Sequence, residues 1–288
     1  MAGCALLDVA PGIGYYLAGE QETMAEDTME YETLIYQKEG GLGVVTLNRP
    51  ERLNALSRQL YRELGQVLDE IEQDDEVRVA IVTGNGRAFC AGADIKERVE
   101  NEEDLRVQRT GAVATRVFRR IETIGKVFIA AVNGYAAGGG CELALACDLR
   151  LAATTAQFAQ SEVKMGIMPG AGATQRLPRL IGAARAKELM LFGDFIGAQQ
   201  AHHWGLVNKV VEPGELMVEA RAWAKALLER PPISLAMIKN AVNVGMQVDL
   251  DSGLEFEQRC SWLLTTTEDR KEGMRAFVEK RKAVFTGR

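Results

Sequence analysis

The sequence predicts an α/β fold built on a parallel sheet and followed by a mainly helical C-terminal region. Three observations carry this expectation. Short β-branched or apolar runs alternate with amphipathic stretches through the first two hundred residues. The run 127–132 is apolar at every position, as a strand covered on both faces must be. Beyond Gly214 only the helical period remains.

Taken in order, residues 43–48 read as a strand ended by Asn48-Arg49-Pro50. Ser57 caps the next helix, in which Leu60, Leu64, Val67, Leu68 and Ile71 share one face. Residues 77–83 form a strand closed by Gly84-Asn85-Gly86, and 105–124 a helix with its charges turned outward. After Gly138-Gly139-Gly140 comes a short helix, 141–146, whose lack of a polar face implies deep burial. Residues 148–153 and 207–211 are further strands, and helices are expected over about 214–229, 233–246, 249–265 and 268–285. Pro231-Pro232 separates the first two of these. The organisation is then a poorly ordered N-terminal extension (1–30, with Met24 or Met29 as candidate starts), an α/β core (31–205) and a C-terminal mainly helical region (206–288). Apolar residues of that region, among them Leu254, Trp262 and Phe277, pack on their own core, cover an oligomer interface, or do both.

Bulk properties narrow the function classes. A chain of 288 residues with 47% hydrophobic and 26% charged residues can bury a sizeable core. A net charge of −6 gives no general attraction for nucleic acid or an anionic membrane. Five cysteines without a C-x-x-C pair support neither a zinc site nor a disulfide framework, and point to a reducing, cytoplasmic setting. No run of eighteen apolar residues suggests a membrane span, and the first thirty residues do not resemble a transit peptide. His202 and His203 are adjacent, so they point in different directions on a helix and form no paired metal site.

The chemistry concentrates in two carboxylates and the turns beside them. Glu142 sits in the first turn of an otherwise apolar helix, where a carboxylate needs a reason to be present. Glu162 follows Phe158-Ala159-Gln160-Ser161 twenty positions later. Either alone would be an ordinary helix-end or surface charge. Together with the tri-glycine, the loop Ala91-Gly92-Ala93-Asp94 and the turn Pro169-Gly170-Ala171-Gly172, they combine proton-moving groups with bare backbone N–H donors. That is the equipment for stabilising an enolate. Cys90 and Cys141 flank the same loops, but small buried thiols ordinarily act as apolar filler.

The segments Ala88-Phe89-Cys90-Ala91-Gly92-Ala93-Asp94-Ile95-Lys96-Glu97, Asn133-Gly134-Tyr135-Ala136-Ala137-Gly138-Gly139-Gly140-Cys141-Glu142-Leu143-Ala144 and Pro169-Gly170-Ala171-Gly172-Ala173-Thr174-Gln175-Arg176-Leu177 resemble the signatures of the enoyl-CoA hydratase/isomerase (crotonase) superfamily. The resemblance runs from about residue 31 to 288, closing with Phe277-Val278-Glu279-Lys280-Arg281-Lys282, and is greatest to two-glutamate enoyl-CoA hydratases. It implies a spiral of ββα units with a C-terminal helical trimerisation region, assembled as a homotrimer or as a hexamer of two trimers. It implies an oxyanion hole from the N–H groups of Ala93 and Gly139, with Glu142 and Glu162 as the catalytic pair. Ala91, Asp94, Ile95, Lys96 and, from a neighbouring subunit, Lys280 fall at substrate-binding positions. The implied substrate is an acyl-CoA thioester, with no metal and no cofactor beyond the coenzyme A of the substrate itself. The implied reaction is reversible syn-addition of water to a trans-2-enoyl-CoA. Double-bond isomerisation, or hydration of branched or ring-derived enoyl-CoA, is the alternative on the same scaffold; RNA binding, known among a few relatives, fits the acidic balance poorly. Two departures stand out: Ser161 where many members have Pro, and Ala173 in place of a frequent Gly.

Overall fold

The computed structural model describes residues 27–101 and 110–288. Within them the chain begins with β1 (Asp27–Glu30), β2 (Leu34–Glu39) and β3 (Leu42–Leu47), followed by helix α1 (Arg58–Gln73). Strands then come in pairs. β4 (Val79–Gly84) and β5 (Ala88–Cys90) precede α2 (Ile95–Glu100) and α3 (Thr110–Thr123). β6 (Val127–Val132) and β7 (Tyr135–Ala137) precede α4 (Gly139–Ala146). β8 (Leu149–Ala153) and β9 (Gln157–Ala159) precede a 3-10 turn, Ser161–Met165, and helices α5 (Ala173–Ile181) and α6 (Ala183–Phe192). The chain continues through β10 (Ile196–Gly197), α7 (Ala198–Trp204) and β11 (Lys209–Val211). It closes with α8 (Leu216–Leu228), α9 (Pro232–Gly245), α10 (Leu250–Leu264) and α11 (Glu268–Glu279).

The first member of each pair joins a seven-stranded sheet, ordered β1-β2-β3-β4-β6-β8-β11, antiparallel to β3 and parallel beyond it. The second member joins a four-stranded sheet, ordered β10-β9-β7-β5, in which β9, β7 and β5 run parallel. Each turn of the spiral is therefore strand, strand, helix. The expected strand–loop–helix unit is a ββα unit.

Why the central large-sheet strands β4, β6 and β8 are almost wholly apolar is visible in their two faces. Ala80, Val82, Phe128, Ala130, Val132 and Ala152 face the interior of the spiral and pack with α1, α3 and α4. Val79, Ile81, Ile129, Ala131, Leu151 and Ala153 alternate with them and face Leu216, Ala220 and Ala224 of α8. The period of two is present but both phases are buried, so alternation of polarity is lost. Among the described residues, no helix is long and apolar enough to cross a membrane.

Two boundaries differ from expectation, and one more falls outside the described residues. Residues 27–30, placed in the N-terminal extension, pair with β2; the rest of the extension, with Met24, lies outside the described residues. Helix α3 begins at Thr110, and positions 105–109 lie outside the described residues. The last helix stops at Glu279 rather than 285, because Lys280 turns left-handed (φ 54°) and the Asp269 carboxylate draws the tail back by accepting the N–H groups of Thr286 (2.7 Å) and Gly287 (2.9 Å).

The C-terminal helices are tied to the core by a buried ion pair. Lys239 of α9 meets Asp148 at 2.9 Å and donates to the carbonyls of Ile121 (2.7 Å) and Lys126 (2.8 Å). Burial pulls the Lys239 pKa down and pushes that of Asp148 up, each opposed by the other's charge. Lys239→Met leaves the carboxylate with only the Phe128 N–H, and is expected to destabilise the fold by about 3–5 kcal/mol in urea denaturation.

Candidate active site

A single isolated bridge between Leu56 and Ala93 creates the first donor. Leu56 N–H donates to Gly92 O at 2.7 Å, and Asp94 N–H donates to Leu56 O at 3.1 Å. The Ala93 N–H between them consequently points to the opposite side and makes no backbone hydrogen bond among the described residues. The second donor is Gly139, the first residue of α4, whose N–H the helix leaves unused. A Cβ on Gly139 would lie 3.8 Å from Ala93 N, so the two N–H groups stand side by side. Their spacing is held by contact: a Cβ on Gly140 would lie 2.0 Å from Cys90 O, so only glycine lets α4 start this close to β5.

Glu142 lies one turn into α4 and is 2% exposed. Its Oε1 accepts from Ala171 N–H at 2.8 Å and Ala173 N–H at 2.9 Å. The turn 169–172, expected to supply donors beside the carboxylates, supplies Ala171, and the first residue after it, Ala173, supplies the other; both are spent on Glu142. Burial pushes the pKa of Glu142 up, while these donors and the charge of Arg176 pull against it.

Glu162 enters from the 3-10 turn and is 8% exposed, with Oε2 buried and unpartnered among the described residues. Its carboxylate lies against the tri-glycine: a Cβ on Gly138 would come within 2.9 Å of Oε1, and Gly138 already has φ +50°. Burial, with the charge of Glu142 adding to it, pushes the pKa of Glu162 up to about 7. The fold therefore brings both glutamates and both N–H donors to one place.

The raised pKa has a consequence for stability. The folded state prefers protonated Glu162, so its contribution is complete below the ordinary value of 4.5 and is lost as pH rises through about 7. That difference corresponds to on the order of 3 kcal/mol. Glu162→Gln is expected to gain stability over the unaltered chain at pH 8 and to gain little at pH 4, read from urea midpoints at the two values.

The other expected site residues are placed less uniformly. Ala91 donates its N–H to Leu53 O at 2.9 Å and supports the loop. Asp94 caps α2 through Glu97 N–H (3.2 Å) and pairs with Arg49 (2.9 Å), so its carboxylate is held below the usual range and turned toward the protein. Ile95 and Lys96 are exposed at the start of α2. Lys280 is exposed at the end of α11, and among the described residues of one chain no hydrogen bond or ion pair joins it to the Ala93 loop. The thiols of Cys90 and Cys141 are fully buried and pushed up to about 12 by that burial, which makes them poor nucleophiles.

Sequence reasoning missed two neighbours. Gln160 is completely buried beside the Cys141 thiol. Tyr61 is buried beside Gly139, its hydroxyl 3.7 Å from where a Cβ there would lie. Gln160 sits two residues before Glu162, which was the one available signal; Tyr61 reads as part of the apolar face of α1.

Against known proteins, the enoyl-CoA hydratase/isomerase family model matches residues 37–288. The chain is 47% identical over 255 residues to the short-chain-enoyl-CoA hydratase of Clostridium acetobutylicum, covering 88% of this chain and 97% of the relative. It is 45% identical over 258 residues to the crotonyl-CoA hydratase of Syntrophomonas wolfei, covering 89% and 99%. Among solved structures, an enoyl-CoA hydratase from Bacillus anthracis superposes with a TM-score of 0.84 at 40% identity, covering 91% of this chain and 99% of that one.

Proposed function

The chain belongs to the enoyl-CoA hydratase/isomerase family, and from that membership we propose that it is an enoyl-CoA hydratase adding water reversibly, in the syn sense, to a trans-2-enoyl-CoA. One observation carries this reading: two buried carboxylates of different character meet beside two unused N–H groups. Glu142 is steadied by two N–H donors, which favour its ionised form, while Glu162 rests near pH 7 with a proton to give. Glu142 takes a proton from the water as its oxygen attacks C3. Glu162 delivers a proton to C2 on the same face. As water adds, the C2=C3 pair shifts into a C1=C2 bond and the carbonyl pair moves onto the thioester oxygen, which the Ala93 and Gly139 N–H groups stabilise; the carbonyl re-forms as the C1=C2 pair takes the proton from Glu162 at C2. By microscopic reversibility the acid and base roles exchange in the dehydration direction.

The finer features follow the same reading. Lys96, and Lys280 from a neighbouring subunit, serve the phosphates of coenzyme A, whose thioester is the substrate; no other cofactor enters the scheme. Exposed Leu250, Trp262, Phe277 and Val278 on α10 and α11 form the covering face of a homotrimer or of a hexamer of two trimers. The division at 205/206 separates the catalytic core from this assembling region, although β11 beyond it completes the core sheet. The reducing cytoplasm suits its unpaired buried cysteines.

Short acyl chains come first in testing, since the two relatives above are named for short-chain and crotonyl substrates. Loss of the enoyl absorbance of crotonyl-CoA on adding the protein at neutral pH is the expected result. Longer and branched enoyl-CoA substrates in the same assay rank the pocket. No absorbance loss with any of them contradicts the proposal.

A further inference from the structure

The turn that holds Glu142 is itself held, one carbonyl at a time. In a trans peptide the C=O and N–H point in opposite directions, so fixing a carbonyl aims the next N–H. The carbonyl of Gly170 faces Thr115 Oγ1 of α3 at 3.1 Å, a hydroxyl that also lies 2.9 Å from Gly111 O. The carbonyl of Ala171 accepts from Arg176 Nη1 at 2.7 Å. The carbonyl of Gly172 accepts the backbone N–H groups of Gln175 (3.0 Å) and Arg176 (2.9 Å) at the start of α5. The Gly170 and Gly172 carbonyls thus aim the Ala171 and Ala173 N–H groups that grip Glu142 Oε1, and the Ala171 carbonyl held by Arg176 aims the Gly172 N–H, which also faces the Glu142 carboxylate.

Arg176 is fixed in turn by α3. Its Nε donates to Glu122 Oε1 at 2.6 Å, and the second oxygen of Glu122 is taken by Arg119 at 2.8 Å. The planar fork thus joins Glu122 to the Ala171 carbonyl, which a lysine's single nitrogen cannot reproduce in both directions. Gly172 completes the arrangement: it has φ +117°, and a Cβ there would fall 2.0 Å from Arg176 Nη1.

We infer that Arg176, braced by Glu122, is a positioning residue that pins the middle of the 170–173 turn through the Ala171 carbonyl, aiming the Gly172 N–H and, together with Thr115 on the Gly170 carbonyl, holding the turn whose N–H groups face the catalytic glutamate Glu142. The inference rests on the hydratase reading for its kinetic consequence, and on geometry alone for the clamp. The groups facing Glu142 are Glu162 from the 3-10 turn, Tyr61 from α1, Cys141 on its own helix and Arg176 from α5. Arg176 is the cation among them. Removing it loosens the donors and withdraws a positive charge, and both changes favour protonated Glu142. As the base must be ionised, the acid limb of the rate profile moves to higher pH.

The test compares the unaltered chain with Arg176→Met and Arg176→Lys by two readouts. One is the pH profile of kcat and KM for crotonyl-CoA hydration. The other is infrared titration of the Glu142 carboxyl, assigned by difference from Glu142→Gln. Arg176→Met is expected to lower kcat at pH 7 by about tenfold with KM within about twofold, and to move both the acid limb and the infrared titration upward. Arg176→Lys is expected to restore the titration in part, through its charge, and not the rate. An unchanged profile and titration in folded Arg176→Met, or a change confined to KM, overturns the inference. If Arg176→Met does not fold, Thr115→Val against Thr115→Ser decides: the valine variant is expected to shift the titration in the same direction and the serine variant to restore it, and two identical titrations overturn the clamp. Should the unaltered chain hydrate no enoyl thioester, the hydratase reading falls by itself, and the infrared titration still judges the clamp.

Discussion

Glutamine in place of either Glu142 or Glu162 is expected to lower kcat for crotonyl-CoA hydration by about 10²–10⁴-fold, the usual worth of a positioned acid or base. The substitutions are conservative in shape. Glu142→Gln keeps a carbonyl oxygen for the Ala171 and Ala173 N–H groups, and Glu162→Gln keeps the contact with Gly138 that the shape of the cavity requires. What is lost is the proton. Since the proposed scheme gives neither side chain a part in holding coenzyme A, KM and the affinity for a saturated acyl-CoA should stay within a few-fold of the unaltered values. The double variant should be little worse than the poorer single one, because groups acting in one step do not contribute independently. Full activity in either single variant, measured by the same absorbance decay, rejects the pairing.

The second large effect is expected from Gly139→Pro. Proline has no N–H, and the first position of a helix is where that loss costs the fold nothing, since no carbonyl awaits the bond. The substitution therefore deletes one of the two oxyanion donors while leaving the helix ladder intact. Loss of one such donor costs about 10²–10³-fold in kcat, or roughly 3–4 kcal/mol of transition-state stabilisation. Gly139→Ala is the control for bulk. Its methyl would meet Leu56 Cδ1 at 3.0 Å, the far end of a flexible side chain, and it retains the N–H. Comparable losses in the alanine and proline variants, with matching circular dichroism, would mean that crowding and not the donor is responsible.

Much of this site is legible in the sequence because its side chains are out of place there. A lone carboxylate in an apolar helix asks for an explanation, and Glu142 is 2% exposed as the pattern of 141–146 requires. The strands of the small sheet are not legible. β5, β7 and β9 have three residues each, too few to display a period of two, and their glycine-rich borders read as loops. The proposed oxyanion pair is hard to find for a different reason: its donors are backbone groups, and nothing about alanine or glycine marks an unused N–H. Ala93 has one only because Leu56, thirty-seven positions earlier, takes the hydrogen bonds on either side of it. That is a tertiary fact, reached from sequence only through the family resemblance. The clamp at Arg176 belongs to the same class, since it depends on where α3 lies against α5.

The decisive measurement is a crystal structure of the protein with 3-hydroxybutyryl-CoA, the product of crotonyl-CoA hydration, bound. The thioester oxygen should accept hydrogen bonds from the N–H groups of Ala93 and Gly139 at about 2.7–3.1 Å. The 3-hydroxyl oxygen should lie within about 3 Å of one oxygen of Glu142 and one of Glu162. A hydroxyl that touches only one of the two carboxyls, or a thioester oxygen directed away from the paired amides, contradicts hydration by this pair.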